Sequence, residues 1–147
     1  MDKLAFDSSA LLTWILQERG WQAVHRILQS GDFELVMPSP VLLECIYRAR
    51  EQGNASSPDE IAETLEAQGF RVAAALRDDL VMAAEYHEVS SNYPYRDPAT
   101  GKTHSLSLAD CMVLAVCRRL ECRVVTRDQY WSWLQREGHL DVEVVSF

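Results

Sequence analysis

Short apolar segments alternate with longer helical patterns along the chain, and this alternation constrains the fold more than any other feature. The clearest helix has apolar residues at positions 109, 112, 113, 116, 117 and 120, which all lie on one helical face. Strand-like runs occupy residues 3–6, 33–37, 123–126 and 142–146, and a weaker, alanine-containing run occupies residues 70–76. Strands that alternate with helices of ten or more residues favour βαβ units and a parallel sheet. We therefore predict an α/β fold with a central, mostly parallel sheet of about five strands flanked by helices.

The remaining helical patterns end at glycines or polar loops, and no boundary divides the chain into separate parts. Helices are predicted at residues 10–16, 21–29, 41–52, 59–68, 78–88 and 129–136. Residues 90–104 are polar and contain proline, tyrosine and glycine, so an irregular excursion over the surface is expected there. Because there is no repeat or interdomain linker, we predict a single domain over residues 1–147.

Composition and charge exclude several classes of protein. The chain has 14 Lys and Arg against 22 Asp and Glu, which gives a net charge of −8. Such a chain does not hold nucleic acid through a broad basic surface, although its acids can surround a cation in a nucleic-acid enzyme. No secretory signal or membrane-spanning run is predicted, which favours a cytoplasmic protein. The four cysteines form no C-x-x-C pair and have no zinc-like spacing to histidine, so reduced and mostly buried thiols are expected.

Four carboxylates lie where the predicted strands lead into helices. Asp7 and Asp128 directly follow strands, Glu44 lies in the first turns of the helix after residues 33–37, and Asp110 begins the amphipathic helix. In a parallel sheet with right-handed crossovers, such junctions all lie at the carboxyl edge of the sheet, where ligands bind. Acids gathered there repel one another unless a cation is present, and a hard divalent ion such as Mg²⁺ prefers carboxylate oxygens. The pattern thus predicts a metal site at this edge.

Each acid also has a purely structural interpretation. Asp7 and Asp128 can cap the helices that follow them, and residues 107–110 match a capping box. Glu44 can pair with Arg48 four residues later, which contributes only ~0.2–0.5 kcal/mol on an exposed helix. Independent caps need not share one edge of a sheet, so their joint occurrence favours a functional site.

Three segments together resemble the PIN-domain ribonucleases, most closely the VapC-type toxins of bacterial toxin–antitoxin pairs. These segments are residues 6–12 (FDSSALL), residues 39–44 (SPVLLE) and residues 107–128, which begin with SLAD and end with VVTRD. They span nearly the whole chain, so the resemblance implies one PIN-like nuclease domain. The residues that match the metal-binding acids of the family are Asp7, Glu44, Asp110 and Asp128, and Thr126 matches its supporting hydroxyl.

The resemblance implies an Mg²⁺- or Mn²⁺-dependent endoribonuclease that cuts RNA and leaves a 5′-phosphate. It also implies a homodimer and a cognate antitoxin protein that blocks the site. Asp7 and Asp110 are expected to contact the metal directly, whereas Asp128 and Glu44 are expected to act directly or through water.

Two features depart from the family pattern. Arg127 stands where the family often has a small or amide residue, and it either grips a phosphate or pairs with the acids. The segment 90–104 is longer than usual, and its Tyr93, Tyr95 and Arg96 are candidates for stacking on bases and contacting phosphates. Arg48 and Lys102 are further candidates for phosphate contact.

Other functions fit the chain less well. A haloacid-dehalogenase-like phosphatase needs Asp-x-Asp after the first strand, where this chain has Asp7-Ser8-Ser9, and a receiver domain needs a late lysine that is absent. A catalytically silent PIN-like module that binds RNA or a protein is the alternative from a different class.

Overall fold

Five parallel strands form the centre of the molecule, as the sequence predicts. The computed structural model describes residues 1–147. Its sheet has the strand order β3-β2-β1-β6-β7, and every neighbouring pair is parallel. The strands of this sheet are β1 (Asp2–Phe6), β2 (Phe33–Pro38), β3 (Arg71–Ala73), β6 (Arg123–Thr126) and β7 (Val144–Ser146), and the separate hairpin consists of β4 (Tyr95–Arg96) and β5 (Thr103–His104).

Helices connect the strands and cover the sheet. They are α1 (Ser8–Ile15), α2 (Trp21–Ser30), α3 (Ser39–Glu51), α4 (Pro58–Ala67), α5 (Arg77–Asn92), α6 (Leu108–Leu120) and α7 (Gln129–Arg136). The predicted α/β class and the flanking helices are therefore confirmed. None of these helices is both long enough and apolar enough to cross a membrane.

The segment 90–104 is more regular than predicted. Helix α5 continues to Asn92, and the antiparallel strands β4 and β5 then form a short hairpin. A turn closes it, in which the Asp97 backbone exchanges hydrogen bonds with Lys102 and Gly101. The Tyr95 ring packs against Trp133 at a centroid distance of 5.1 Å. The prediction of an irregular excursion was wrong because contacts with a distant helix order this segment, and they are not visible in local composition.

The strand predicted at residues 70–76 covers only Arg71–Ala73. The chain leaves the sheet after Ala73, and the backbone N–H of Ala75 donates to the Ser39 hydroxyl at 3.1 Å instead of to a neighbouring strand. The last strand is likewise shorter than predicted, since it begins at Val144.

Helix α6 is the central helix of the core. Residues 113–117 of α6 are all buried, as is Cys111. The guanidinium of Arg119 joins α6 to α5 through two contacts with the buried Asp79 carboxylate, at 2.9 and 3.1 Å, and donates to the carbonyl of Ala74. These contacts fix the direction of α6 and hence the place of its first turn, which carries Asp110. The four cysteines are free and buried, as predicted.

Candidate active site

The carboxyl ends of β1 and β6 lie side by side at the centre of the sheet. Phe6 pairs with Val125, and the backbone N–H of Asp7 donates to the Val125 carbonyl at 3.0 Å, which extends the pairing by one residue. Asp7 and Thr126 thus leave the sheet at adjacent points. The Thr126 hydroxyl donates to Oδ2 of Asp7 at 2.7 Å.

Asp7 is a buried carboxylate with a full set of local donors. Its side chain is only 5% exposed. Oδ1 accepts hydrogen bonds from the Ser9 hydroxyl at 2.7 Å and from the Ala10 backbone N–H at 3.0 Å. Burial raises its pKa to about 6, and the bonds from Thr126 and Ser9 offset only part of that increase. The negative charge of Asp128 raises the pKa further.

Asp110 lies in the first turn of α6 and has a similar electrostatic environment. Its Oδ2 accepts from the backbone N–H of Ser107 at 2.9 Å, while the Ser107 hydroxyl accepts from the Asp110 backbone N–H at 3.1 Å. Burial raises the pKa of Asp110 to about 6, and the charges of Asp7 and Asp128 add to this effect. Because the charge of Asp128 acts on both Asp7 and Asp110, these three predicted residues lie near one another at this edge of the sheet.

Asp128 completes this acidic group at the junction of β6 and α7. Its backbone N–H donates to the Thr126 hydroxyl at 3.0 Å, and its Oδ1 caps α7 by accepting from the Tyr130 backbone N–H at 3.0 Å. Thr126 therefore links two of the acids, because its hydroxyl donates to one side chain and accepts from the backbone of the other.

Glu44 lies on α3 and has protein partners for both of its carboxylate oxygens. Its Oε1 accepts from the Ser8 hydroxyl at 2.8 Å, and its Oε2 pairs with the Arg48 guanidinium at 3.2 Å. Both oxygens are thus occupied by protein groups, and 21% of the side chain is exposed. The hydrogen bond to Ser8 holds Glu44 beside the first turn of α1, next to Asp7.

The structural interpretations of the acids are also correct. Asp7 and Asp128 cap α1 and α7, Asp110 belongs to a capping box, and Glu44 pairs with Arg48. For Asp110 and Asp128 the two interpretations are compatible, because a carboxylate that caps a helix with one oxygen keeps its other oxygen for another ligand. Ser107 occupies only Oδ2 of Asp110, and Tyr130 occupies only Oδ1 of Asp128.

The donor set suits a hard divalent cation by its chemistry, although the side chains are not arranged around one. No three Asp, Glu, His or Cys side chains converge as a ligand set in this structure. However, Asp7 is buried and Asp110 is partly buried, both have raised pKa values, and both lie near a third carboxylate, so a cation would relieve the repulsion. Asp7, Asp110 and Asp128 are the residues that would hold such an ion.

Three hydroxyl residues of α1 are part of this arrangement and were not predicted from the sequence. Ser8 positions Glu44, and Ser9 donates to Asp7 and accepts from the Arg127 backbone N–H at 3.1 Å. Thr13 accepts a hydrogen bond from the Arg127 guanidinium at 3.0 Å. The run Asp7-Ser8-Ser9 was a visible signal, since adjacent hydroxyls at a strand-to-helix junction can orient a carboxylate.

The predicted contacts from aromatic and basic residues have mixed outcomes. Tyr95 is packed between Trp133 and His104, so it is not free to stack on a base. Tyr93 remains 43% exposed, although its ring stacks on His139 at 3.6 Å. Arg127 does not pair with the acids, which removes one of its two predicted roles.

The PIN domain family model matches residues 4–136 of the chain, which include all of the acids described above. This chain belongs to the PIN domain family. None of the curated proteins matches the chain by sequence.

Solved structures with the same fold come from bacterial toxin–antitoxin systems. VapC20 of Mycobacterium tuberculosis, described as a sarcin–ricin loop cleaving toxin, is 16% identical with a TM-score of 0.71, and the match covers 96% of this chain and 99% of that one. In VapBC2 of Rickettsia felis, bound to a promoter DNA fragment, the match is 9% identical with a TM-score of 0.69 and covers 97% of both chains. DNA-bound VapBC of Salmonella typhimurium is 14% identical with a TM-score of 0.63, over 99% of this chain and 98% of that one. At these identities, the likeness concerns the fold.

Proposed function

We propose that this chain, over residues 1–147, is a PIN-domain endoribonuclease that hydrolyses RNA phosphodiester bonds with Mg²⁺ or Mn²⁺. The observation that carries the proposal is the group of Asp7, Asp110 and Asp128 at the carboxyl edge of the sheet. Two of these acids have pKa values of about 6 because burial and neighbouring negative charge disfavour their ionised forms. Carboxylates with strongly raised pKa values cluster at functional sites. A bound cation would relieve the repulsion between these acids.

The residues of the site would have different roles in holding the ion. Asp7 and Asp110 would contact the ion directly, and Asp128 directly or through water. Thr126 and Ser9 fix the orientation of the Asp7 carboxylate through bonds of 2.7 Å each. Glu44, which Ser8 holds beside Asp7, would complete the site through water.

When bound, the cation would activate a water molecule as nucleophile and stabilise negative charge on the phosphate. Hydrolysis then adds the water oxygen to phosphorus and breaks the bond from phosphorus to the 3′-oxygen. The products are a 5′-phosphate and a 3′-hydroxyl.

The fold also supports a biological setting. VapC20 is described as a toxin, and other proteins with this fold were solved in VapBC complexes. In line with these structures, we propose that this chain is the toxin of a type II toxin–antitoxin pair, acts in the cytoplasm as a homodimer and is inhibited by a cognate antitoxin protein.

Cleavage of a panel of labelled transfer RNAs, ribosomal RNA fragments and single-stranded RNAs tests the proposal. The wild type, Asp110→Asn and Asp32→Asn are purified identically and assayed with Mg²⁺, with Mn²⁺ and with EDTA. Asp32 is an exposed carboxylate just before β2, at the opposite end of that strand from the site, so its variant controls for the lost charge. We expect metal-dependent cleavage by the wild type and Asp32→Asn only. Equal cleavage by all three proteins would identify a contaminating nuclease and contradict the proposal.

A catalytically silent binding module is the second candidate, and one observation favours it. All four acids have structural partners, and no three of them converge around an ion. RNA binding without cleavage or divalent-ion binding would select this candidate.

A further inference from the structure

Arg127 lies between Thr126 and Asp128 in the chain and is held in place by α1. Its backbone N–H donates to the Ser9 hydroxyl at 3.1 Å, and its guanidinium donates through Nη1 to the Thr13 hydroxyl at 3.0 Å. Thr13 is buried, and its own hydroxyl donates to the Ser9 carbonyl at 2.9 Å, so it is a fixed anchor. The guanidinium is therefore positioned before any ligand arrives.

This guanidinium has no carboxylate partner, although Asp128 is the next residue along the chain. The arginines that form ion pairs are Arg48, Arg71, Arg77, Arg118, Arg119 and Arg123. The others, apart from Arg127, are exposed to solvent, namely Arg19, Arg26, Arg50, Arg96 and Arg136. Arg127 is thus the one arginine that is partly buried and lacks an anionic partner. A partly buried guanidinium whose N–H groups are not all paired keeps donors that an anion can accept.

Arg127 and Glu44 lie on different sides of Asp7. Glu44 is joined to α1 through Ser8, whereas Arg127 is joined through Ser9 and Thr13. Ser9 and Thr13 share one face of the helix, and Ser8 is rotated from Ser9 by about 100°. A strand of RNA that places a phosphate at Asp7 can therefore approach Arg127 without displacing the Glu44–Arg48 pair.

We propose that Arg127 is a phosphate-binding residue for RNA and that Thr13 positions it. This inference rests on the proposed ribonuclease function. It identifies a positively charged group through which an acidic protein would contact its RNA substrate. A guanidinium offers a planar pair of N–H groups that matches two phosphate oxygens. One N–H of Arg127 is used by Thr13, and the remaining donors are available to the phosphate.

The test measures RNA binding in a protein that does not cleave. Asp110→Asn is the parent, and fluorescence anisotropy follows its binding to labelled single-stranded oligoribonucleotides of mixed sequence in Mg²⁺ buffer at several salt concentrations. Arg127→Ala is added to the parent, with Arg136→Ala as the control that removes an equal charge from an exposed position. We expect Arg127→Ala to raise Kd about tenfold and to reduce the salt slope by about 0.7, as for one contact on a single strand. Arg136→Ala should change Kd less than threefold.

Two further variants separate charge, geometry and folding. Arg127→Lys keeps the charge but not the planar fork, so it should restore the salt slope and only part of the affinity. Thr13→Val removes the anchoring hydroxyl, and we expect a higher Kd with an unchanged salt slope. Circular dichroism and urea midpoints close to those of the parent confirm that all variants are folded. A Thr13→Val protein that binds RNA like the parent overturns the positioning role.

The outcomes distinguish this inference from the ribonuclease proposal. If Arg127→Ala binds RNA as tightly as Arg136→Ala does in the Asp110→Asn parent, the role of Arg127 is refuted, while metal-dependent cleavage by the wild type still supports the ribonuclease. If the wild type cleaves no RNA but binding depends on Arg127, the ribonuclease proposal fails and this inference stands. A parent that binds none of the oligonucleotides overturns the inference.

Discussion

Replacing Asp7 with asparagine is predicted to stabilise the metal-free protein at neutral pH. The carboxylate is 5% exposed and lies near the negative charge of Asp128, so its ionised form is unfavourable in the folded state. The pKa of Asp7 is about 6, against 3.8 for an unperturbed aspartate. At ~1.4 kcal/mol per pKa unit, ionisation costs the fold about 3 kcal/mol at pH 7.

The asparagine side chain of Asp7→Asn does not recover the whole cost of ionising Asp7 in the folded protein. Thr126, Ser9 and Ala10 all donate to the carboxylate, and the amide nitrogen of asparagine cannot accept from one of them. The loss of one such bond costs about 1–2 kcal/mol. We therefore expect a net stabilisation of about 1–2 kcal/mol, which corresponds to a rise of ~0.5–1 M in the urea midpoint.

The pH dependence gives the prediction a second, independent test. Because the folded pKa is raised, the contribution of Asp7 to stability is complete below the unfolded pKa of 3.8 and is lost as the pH rises through about 6. The advantage of Asp7→Asn should therefore be about 1–2 kcal/mol at pH 7, and near pH ~4, where the ionisation cost is almost gone, the lost hydrogen bond should leave the variant slightly less stable than the wild type.

Urea unfolding in EDTA, followed by tryptophan fluorescence, measures these differences. Trp131 is fully buried, so its emission reports loss of the core. Asp32→Asn removes an equal charge from an exposed position and should stay within about 0.5 kcal/mol of the wild type. If Asp7→Asn is less stable than the wild type at pH 7, or if its advantage is the same at both pH values, the electrostatic description of the site is refuted.

Three further predictions concern the scaffold. Asp79→Asn should destabilise the protein by about 2–3 kcal/mol in urea unfolding, because it breaks the buried pair with Arg119, whose side chain is 35% exposed; a loss below 1 kcal/mol would contradict this. Tyr130→Phe removes the hydroxyl that donates to the Tyr93 carbonyl at 2.7 Å. It should cost about 1 kcal/mol and speed amide hydrogen exchange in residues 93–106, and unchanged exchange would count against that anchor. Ser57→Ala breaks the capping box of α4 and should cost about 1 kcal/mol without reducing RNA cleavage, which the cleavage assay checks.

The fold was predictable wherever local pattern and topology agree. The period of apolar residues identified α6, the β-branched run identified β6, and the parallel sheet followed from the alternation of strands and helices. The hairpin of β4 and β5 was not predictable, because two-residue strands have almost no local signal. Its order comes from Tyr95 packing on Trp133, a contact between residues 38 positions apart.

The candidate site was predictable in position but not in detail. The rule that parallel strands share a carboxyl edge placed Asp7, Asp110 and Asp128 together. The rule could not show that Ser8 holds Glu44 to one side or that Thr13 anchors Arg127, because both depend on the rotation of α1 about its axis. These two side-chain hydrogen bonds join residues that are 36 and 114 positions apart. They are fixed by tertiary packing, so no local sequence pattern predicts them.

Divalent-ion binding is the most direct test of the central claim, since it does not depend on which RNA is the natural target. Calorimetric titration with Mn²⁺ and Mg²⁺ compares the wild type with Asp7→Asn, Asp110→Asn and Asp32→Asn. We predict saturable binding to the wild type and Asp32→Asn, and its loss in the two variants of the site. A folded wild type that binds neither ion, or site variants that bind as the wild type does, would contradict a metal-dependent nuclease.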